Sequence, residues 1–342
     1  MLLDGAMGTM IQKYNLSEED YRGERYKLHP CDLKGNNDLL SLTRPDIIRE
    51  IHEAYLEAGS DIIETNTFNA TSISQADYQT ESSVYEINFE SARIAAGSAK
   101  LFTLKDPLKP RYVAGSIGPT NKTTSLSPDV EDPGFRAVSF DQMKDAYRDQ
   151  VRGLIDGGAD LLLVETVFDT LNAKAALMGI EEYLQERGIR IPVMVSGTIT
   201  DASGRTLSGQ TLEAFMHSLD HIDLLSIGLN CSLGARELRP YLSEMSAKSK
   251  HFISVHPNAG LPNQFGEYDQ TPDQMAFHIK DFLDSGFVNI VGGCCGTTPE
   301  HIKAISELTE KARVRQPKVP EPGLRLSGLE PLTAYKLSLI HI

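Results

Sequence analysis

The sequence is poor in positive charge, in cysteine and in long apolar runs. Its 342 residues include 33 Lys and Arg against 47 Asp and Glu, a net charge of −14, which argues against a surface for nucleic acid or anionic membranes. No apolar run approaches the ~20 residues that a membrane-spanning helix requires. No secretory leader pattern opens the chain. We therefore expect a cytoplasmic protein that binds neither nucleic acid nor membrane.

Four cysteines are too few for a disulfide scaffold in a chain of this length, and 40% hydrophobic residues suffice for a large core. In a reducing compartment, cysteines more often serve a metal or catalysis. A strained disulfide between the adjacent Cys294 and Cys295 is a less favoured alternative. Cys31 stands alone in a polar loop and is not expected to be a ligand.

Short runs rich in Ile, Val and Leu alternate with helical patterns along the chain. The runs lack polar alternation, as is typical of parallel strands buried on both faces. Eight strands are predicted: Leu2–Asp4, Asp61–Thr65, Tyr112–Ser116, Asp160–Glu165, Pro192–Ser196, Asp223–Leu229, Phe252–His256 and Val288–Val291. The intervening helices include Asp46–Ala58, Gln142–Gly157, Leu171–Gln185, Glu237–Lys248, Asp273–Ser285 and Glu300–Arg313. The pattern predicts an α/β fold, a (β/α)8 TIM barrel over residues 1–315, with an open doubly wound sheet as the alternative.

The composition changes at Gln316. The proline-rich segment Gln316–Gly323 is typical of a semi-rigid linker. Residues 316–342 are therefore predicted to be a linker toward an absent domain. Lys336–Ile342 fits no element and is interpreted as a truncation or an artefact.

Three cysteines directly follow predicted strands. Asn230 and Cys231 end one apolar run, and Cys294 and Cys295 follow Val288–Val291. Because functional groups gather at the carboxyl ends of barrel strands, the three thiols are expected at one rim. The glycines flanking the adjacent pair allow the sharp turn that would bring both sulfurs to one metal. Three thiolates leave zinc an open position for substrate, with Asn230 orienting a ligand; buried apolar cysteines are the alternative.

Several short motifs reduce the number of functions that fit the predicted zinc site. It comprises the Gly-Gly-Cys-Cys-Gly run at 292–296, Asn230-Cys231 and the opening Leu3–Thr9. Together these resemble the zinc-dependent homocysteine methyltransferase family. The stretches Asp32–Asp38, Ser196–Asp201, Gly204–Gln210 and His256–Gly260 resemble the N-terminal, homocysteine-binding module of cobalamin-dependent methionine synthases, and Arg325–Pro331 resembles the joint to their folate-binding barrel. The similarity covers Leu2 to about Pro331.

The resemblance implies a catalytic zinc ion held by Cys231, Cys294 and Cys295. Homocysteine would bind through its sulfur, which zinc would deprotonate and orient for attack on a methyl group. In the full enzyme the methyl group comes from methylcobalamin, recharged from 5-methyltetrahydrofolate on the cobalamin-binding and folate-binding modules. No part of this chain is predicted to bind either cofactor.

Residues at other strand ends are candidates for binding the amino-acid end of homocysteine. Glu165 is expected to bind the ammonium group, since the family places a glutamate there; a helix-dipole role is the alternative. Backbone N–H groups at Asp4 and Gly5 could bind the carboxylate, or merely form a tight turn. Thr67 could lie near the substrate backbone, or cap a helix. His256 is expected to be a hydrogen-bonding residue rather than a ligand.

Three other functions stay open at this stage. A stand-alone homocysteine methyltransferase using betaine or S-methylmethionine would share the zinc chemistry. A non-catalytic zinc-binding or amino-acid-binding module would bind without turnover. A zinc hydrolase is disfavoured because three thiolates make zinc a poor Lewis acid.

Overall fold

The computed structural model describes residues 1–200, 203–264, 266–310, 312–319 and 321–334. The segment Lys336–Ile342, interpreted above as a truncation or an artefact, lies outside the described residues. Within the described ranges, no helix combines the length and the apolar character that crossing a membrane requires.

Seven parallel strands form one curled sheet in chain order, each hydrogen-bonded to the next. They are β1 Ile62–Glu64, β2 Tyr112–Ile117, β3 Leu161–Val167, β4 Val193–Gly197, β5 Ser226–Gly234, β6 Phe252–Asn258 and β7 Ile290–Val291. All seven fall at predicted strand positions. The predicted α/β class with a TIM-barrel-like sheet is confirmed.

The first predicted strand is reduced to two bridging residues that join the sheet edges. Leu2 forms a parallel bridge with Val291 of β7, and Leu3 forms one with Ile62 of β1. The Leu3 N–H donates to Val291 O at 2.7 Å, and the Ile62 N–H donates to Leu2 O at 3.0 Å. These bonds connect β7 to β1 and favour the closed barrel over the open sheet.

Two layers of apolar side chains are separated by the sheet. The inner layer fills the barrel and consists of Leu3, Ile62, Ala114, Leu161, Leu163, Met194 and Ile290. The larger, outer layer lies between the sheet and the helices. Side chains on both faces of the strands are buried, which explains the continuous apolar runs in the sequence.

The helices of the described residues are α1 Met7–Gln12, α2 Glu18–Arg22, α3 Leu40–Thr43, α4 Pro45–Glu57, α5 Ser72–Gln75, α6 Val84–Lys105, α7 Phe140–Gly157, α8 Thr170–Arg187, α9 Leu212–Leu219, α10 Ala235–Lys248, α11 Pro272–Asp284 and α12 Pro299–Thr309. Their ends follow local chemistry. Ser139 forms a capping box with Gln142 at the start of α7, and Gly158 ends that helix in a left-handed conformation. Pro45 and Pro299 occupy first helical positions, where a missing backbone N–H costs nothing.

The tail folds back against the barrel. Strands β8 Leu324–Ser327 and β9 Pro331–Ala334 form an antiparallel hairpin. The Thr211 N–H donates to Leu329 O at 3.0 Å, and Arg205 pairs with Glu330 at 2.5 Å. The described part of the tail is therefore attached to the loop before α9, while the domain division at residue 315 stays a prediction.

Candidate active site

Three thiols meet at the carboxyl rim of the barrel. Cys231 lies near the carboxyl end of β5, and Cys294 and Cys295 follow β7. The Sγ atoms of Cys231 and Cys295 are 3.7 Å apart, and all three sulfurs lie within 4.8 Å of one another. Sulfurs bound at ~2.3 Å to one tetrahedral ion would lie about 3.8 Å apart. The predicted convergence of the three thiols is thus present in the structure.

Irregular backbone brings the thiols together. The register of β5 against β6 shifts between Asn230 and Gly234. In that segment, Cys231 has a φ of 58° and Ser232 a φ of 57°, values that residues with side chains rarely adopt. Gly296 has a φ of 80° and supplies the turn after the adjacent cysteine pair.

The turn that carries Cys294 is held by contacts with the start of the chain. The Cys294 N–H donates to Pro257 O at 2.8 Å. The Thr297 hydroxyl donates to Cys294 O at 2.6 Å and accepts from the Ala6 N–H at 3.1 Å. The Gly296 N–H donates to the Thr9 hydroxyl at 3.0 Å. Strand β6 and the loop after Leu3 therefore fix the two thiols from both sides.

The thiols share protons rather than ionising independently. Hydrogen bonds from Cys231 and Cys294 lower the pKa of the Cys295 thiol to about 3. Hydrogen bonding to Cys231 raises the pKa of the Cys294 thiol well above its usual range. One sulfur therefore carries negative charge that the other two thiols stabilise, and ionising all three requires a nearby cation. This donor set and its spacing fit a zinc ion.

Three buried carboxyl groups and a histidine also line the cavity that the thiols face, which has a volume of about 900 Å³. They belong to Asp4, Glu64, Glu165 and His256 and are called the acidic group below. The carboxyl groups of Glu64 and Glu165 are hydrogen-bonded to each other. Glu165 also accepts a hydrogen bond of 2.5 Å from the Ser116 hydroxyl. Burial raises the pKa of Glu165 to about 7. Burial, together with the charges of Glu165 and Asp4, raises the pKa of Glu64 as well.

Two buried polar atoms of this acidic group have no partner among the described residues. They are Oδ1 of Asp4 and Nε2 of His256. The second oxygen of Asp4 accepts from the Glu64 N–H at 3.0 Å. Burial lowers the pKa of His256 to about 3, so its imidazole is neutral. Lys13 carries the only permanent positive charge among the described residues that line the cavity, and a cationic ligand would therefore be favoured here.

The other predicted site residues also line or border this cavity. An added Cβ at Gly5 would lie 2.8 Å from both Thr297 Oγ1 and the Tyr55 ring, so close packing requires glycine there. Thr67 is fully buried, and its hydroxyl donates to Ser116 O at 2.7 Å. Asn230 is fully buried beside Cys231. The roles of these residues toward a substrate stay predictions.

Sequence reasoning missed three residues of the site. Tyr268 lines the cavity and hydrogen-bonds to Cys295; its loop position carries no sequence signal. Thr9 supports Gly296, as described above, and belongs to a motif whose contact could not be inferred from spacing. Thr166 hydrogen-bonds to Asn230, and its place directly after Glu165 was the one available signal.

Cys31 lies apart from the cluster formed by Cys231, Cys294 and Cys295. Its Sγ donates to Tyr78 O at 3.1 Å. Cys31 belongs to neither of the two groups of metal-competent residues found within the described ranges, which are Cys231, Cys294 and Cys295, and Glu64, Glu165 and His256. Its lack of a ligand role stays a prediction.

Solved structures with this fold include those of the homocysteine methyltransferase MmuM from Escherichia coli. Its metallated form is 24% identical to this chain, with a TM-score of 0.66, over 90% of this chain and 95% of that one. Its oxidized form is 22% identical over the same shares, with a TM-score of 0.69. At these identities, the likeness establishes the fold.

A family profile also matches most of the chain. The profile described as Homocysteine S-methyltransferase matches residues 1–309, which include every residue of the thiol and acidic groups. The chain belongs to the homocysteine S-methyltransferase family.

Proposed function

We propose that this protein transfers a methyl group to the thiol of homocysteine, giving methionine, at a zinc ion held by Cys231, Cys294 and Cys295. The observation that carries the proposal is the presence of the three thiols and the acidic group in one cavity. A ligand with a thiol at one end and an ammonium at the other matches both groups at once.

The acidic group would bind the amino-acid end of the substrate. The ammonium would lie between Glu165 and Asp4, whose unpartnered Oδ1 lacks a donor. A positive charge at this point would lower the raised pKa values of the carboxyl groups and ionise them. Binding would therefore release a proton and replace the Glu64–Glu165 hydrogen bond by charge-assisted bonds to the ammonium.

The three cysteines would hold zinc and leave a position for the homocysteine sulfur. When bound, the ion would keep that sulfur as a nucleophilic thiolate. The methyl–donor bond would break with its electron pair remaining on the donor as the carbon–sulfur bond forms, and the thiol proton of homocysteine would have passed to solvent. Tyr268, beside Cys295, would limit access of water to the sulfurs.

For the donor, we propose methylcobalamin, with the chain acting as the homocysteine-binding module of a cobalamin-dependent methionine synthase. The motifs from Asp32 to Gly260 and the joint at Arg325–Pro331 support this choice. The cobalamin-binding and folate-binding modules of the full enzyme would be the partners. A cavity of about 900 Å³ leaves space above a bound amino acid for a large donor.

A stand-alone methyltransferase using S-methylmethionine or betaine is the second candidate. It rests on the same family match as the first candidate, since the profile described as Homocysteine S-methyltransferase specifies no methyl donor. Both candidate functions would use Cys231, Cys294 and Cys295 in the same way, and they differ only in the methyl donor.

The test combines zinc content with methyl transfer to homocysteine from methylcobalamin, S-methylmethionine and betaine. We expect the wild type to bind one zinc ion and to use free methylcobalamin. Cys294→Ser should lose most of its zinc and at least about 100-fold in activity. Cys31→Ser is the matched control, because its thiol lies outside the group, and it should retain both.

The possible outcomes test the metal site and distinguish between the candidate functions. Full zinc and full activity in Cys294→Ser would overturn the proposal for the metal site. Activity with S-methylmethionine or betaine and none with methylcobalamin would favour the stand-alone enzyme. Tight zinc binding with no methionine from any donor would indicate a non-catalytic module.

A further inference from the structure

Thr166 has a backbone conformation that its side chain disfavours. It lies in β3, where the register against β4 shifts between Val164 and Val167, and its φ is 54°. A β-branched residue in the left-handed region is energetically unfavourable and is held there only by its surroundings. The side chain of Asn230, which lies 64 positions along the chain, is the partner that holds it.

The two residues form a double hydrogen bond. The Thr166 N–H donates to Asn230 Oδ1 at 3.0 Å. The Asn230 amide nitrogen donates to Thr166 Oγ1 at 2.8 Å. The same nitrogen is 3.9 Å from Cys294 Sγ and directs a hydrogen toward it.

This pairing determines which end of the amide lies near the sulfur. A backbone N–H can only donate, so Asn230 must present its oxygen to Thr166. The amide nitrogen is then left to donate, once to the Thr166 hydroxyl and once toward Cys294. If the amide turned over, its carbonyl oxygen would lie near the Cys294 sulfur and would repel it once a bound metal had ionised that thiol.

The geometry points to Thr166 as the positioning residue that fixes the Asn230 amide as a hydrogen-bond donor to Cys294, and thereby strengthens metal binding by that thiolate. The inference rests on the proposed metal site and adds two residues that support its ligand. Thr166 acts through Asn230 and needs no contact with the metal. Outer contacts of this kind typically contribute 10- to 100-fold to metal affinity.

Three substitutions at one position separate the hydroxyl from the strained backbone. Thr166→Val keeps the shape and loses the hydroxyl. Thr166→Ser keeps the hydroxyl and loses the methyl group. Thr166→Gly loses the hydroxyl but relieves the backbone strain, so it should fold even if Thr166→Val does not.

The measurements are zinc affinity by competition with a chelator, and the thiolate-to-metal charge-transfer band of the cobalt-substituted protein. We expect Thr166→Val and Thr166→Gly each to weaken zinc binding by about tenfold and to shift the band. Thr166→Ser should remain within about twofold of the wild type. The thermal midpoint of the metal-free variants reports any general loss of stability, which would not by itself move the band.

Wild-type affinity and an unshifted band in both Thr166→Val and Thr166→Gly would overturn the inference while leaving the proposed metal site intact. Equal losses in all three variants would also overturn it, because the hydroxyl would then be irrelevant. Absence of any metal binding by the wild type would overturn the proposed function and this inference together.

Discussion

The two sides of the cavity hold their functional groups in different ways. The carboxyl group of Glu64 projects from the end of strand β1, and that of Glu165 projects from β3 within its register shift, directly before Thr166. The thiols depend on a shifted register, on left-handed residues and on a glycine turn. The acidic side thus includes one irregular strand segment, whereas on the thiol side both segments that carry the cysteines depart from regular strand geometry.

The difference has an energetic reason. Ammonium binding tolerates variation in distance, because charges interact over several ångströms. A metal site requires its ligands at fixed bond lengths and angles. Backbone strain is therefore concentrated on the thiol side, where positional accuracy matters more. We therefore expect substitutions that change the backbone to reduce zinc binding at the thiol side most. Substitutions that remove charge should instead reduce homocysteine binding at the acidic side most.

The largest expected effect comes from Gly296→Ala. The new Cβ would collide with Tyr268, and the φ of 80° would add strain of about 1–3 kcal/mol. We expect zinc affinity, measured by chelator competition, to fall by at least about tenfold.

The control for Gly296→Ala is Gly97→Ala in helix α6, where an added Cβ has no neighbour within 4 Å. This substitution should raise the free energy of unfolding by about 0.5–1 kcal/mol and leave zinc affinity unchanged. Unchanged zinc affinity in Gly296→Ala would contradict the inference that the thiol side depends on this irregular backbone.

A smaller effect is expected from Glu165→Gln. Loss of one charge-assisted bond to the ammonium should weaken homocysteine binding by roughly tenfold, corresponding to about 1.5 kcal/mol. Steady-state KM and direct binding would measure this, with zinc content checked in parallel. The deaminated analogue 4-sulfanylbutanoate lacks the ammonium, so its affinity should be the same for wild type and variant. Equal losses for both ligands would contradict an ammonium-binding role.

The smallest effect concerns pH and the metal-free protein. Burial raises the pKa of Glu165 from 4.5 to about 7, so between these values the folded protein retains a proton that the unfolded chain has released. The stabilising contribution is fully present below pH 4.5 and is lost as the pH rises through about 7, at no more than about 1.4 kcal/mol per pH unit. Denaturant unfolding from pH 5 to 8 should therefore show a shallower decline in Glu165→Gln. Parallel declines would mean that this carboxyl group does not titrate as described.

Much of the barrel could be predicted from the sequence because its cause is local. Apolar runs of β-branched residues and leucine identify strands, and the residue after each run lies at the functional rim. Cys231, Cys294 and Glu165 were found in this way. The two-residue bridge at Leu2 and Leu3 was overestimated in length, since a strand end that pairs through single bridges has the same composition as a longer one.

The remainder depends on contacts between distant segments. The bulge at Thr166 is stabilised by Asn230, and no local pattern indicates that pairing. Helix α6, Val84–Lys105, was not named from the pattern because its buried face is built largely from small residues such as Ser91, Ala92 and Ala95. The hairpin after Leu324 was interpreted only as linker, because its strands are four residues each.

The Tyr55 hydroxyl donates to the carbonyl oxygens of Ala6 and Thr297, the latter 242 positions away. Together with the Thr9 and Thr297 bonds, it links the turn of the adjacent cysteines to the first loop of the chain. Contacts this distant in sequence form late in folding, once the intervening units are in place. The capacity to bind metal should thus arise at the end of refolding, when the barrel closes. The rate of zinc uptake during refolding would therefore measure the rate of that final step.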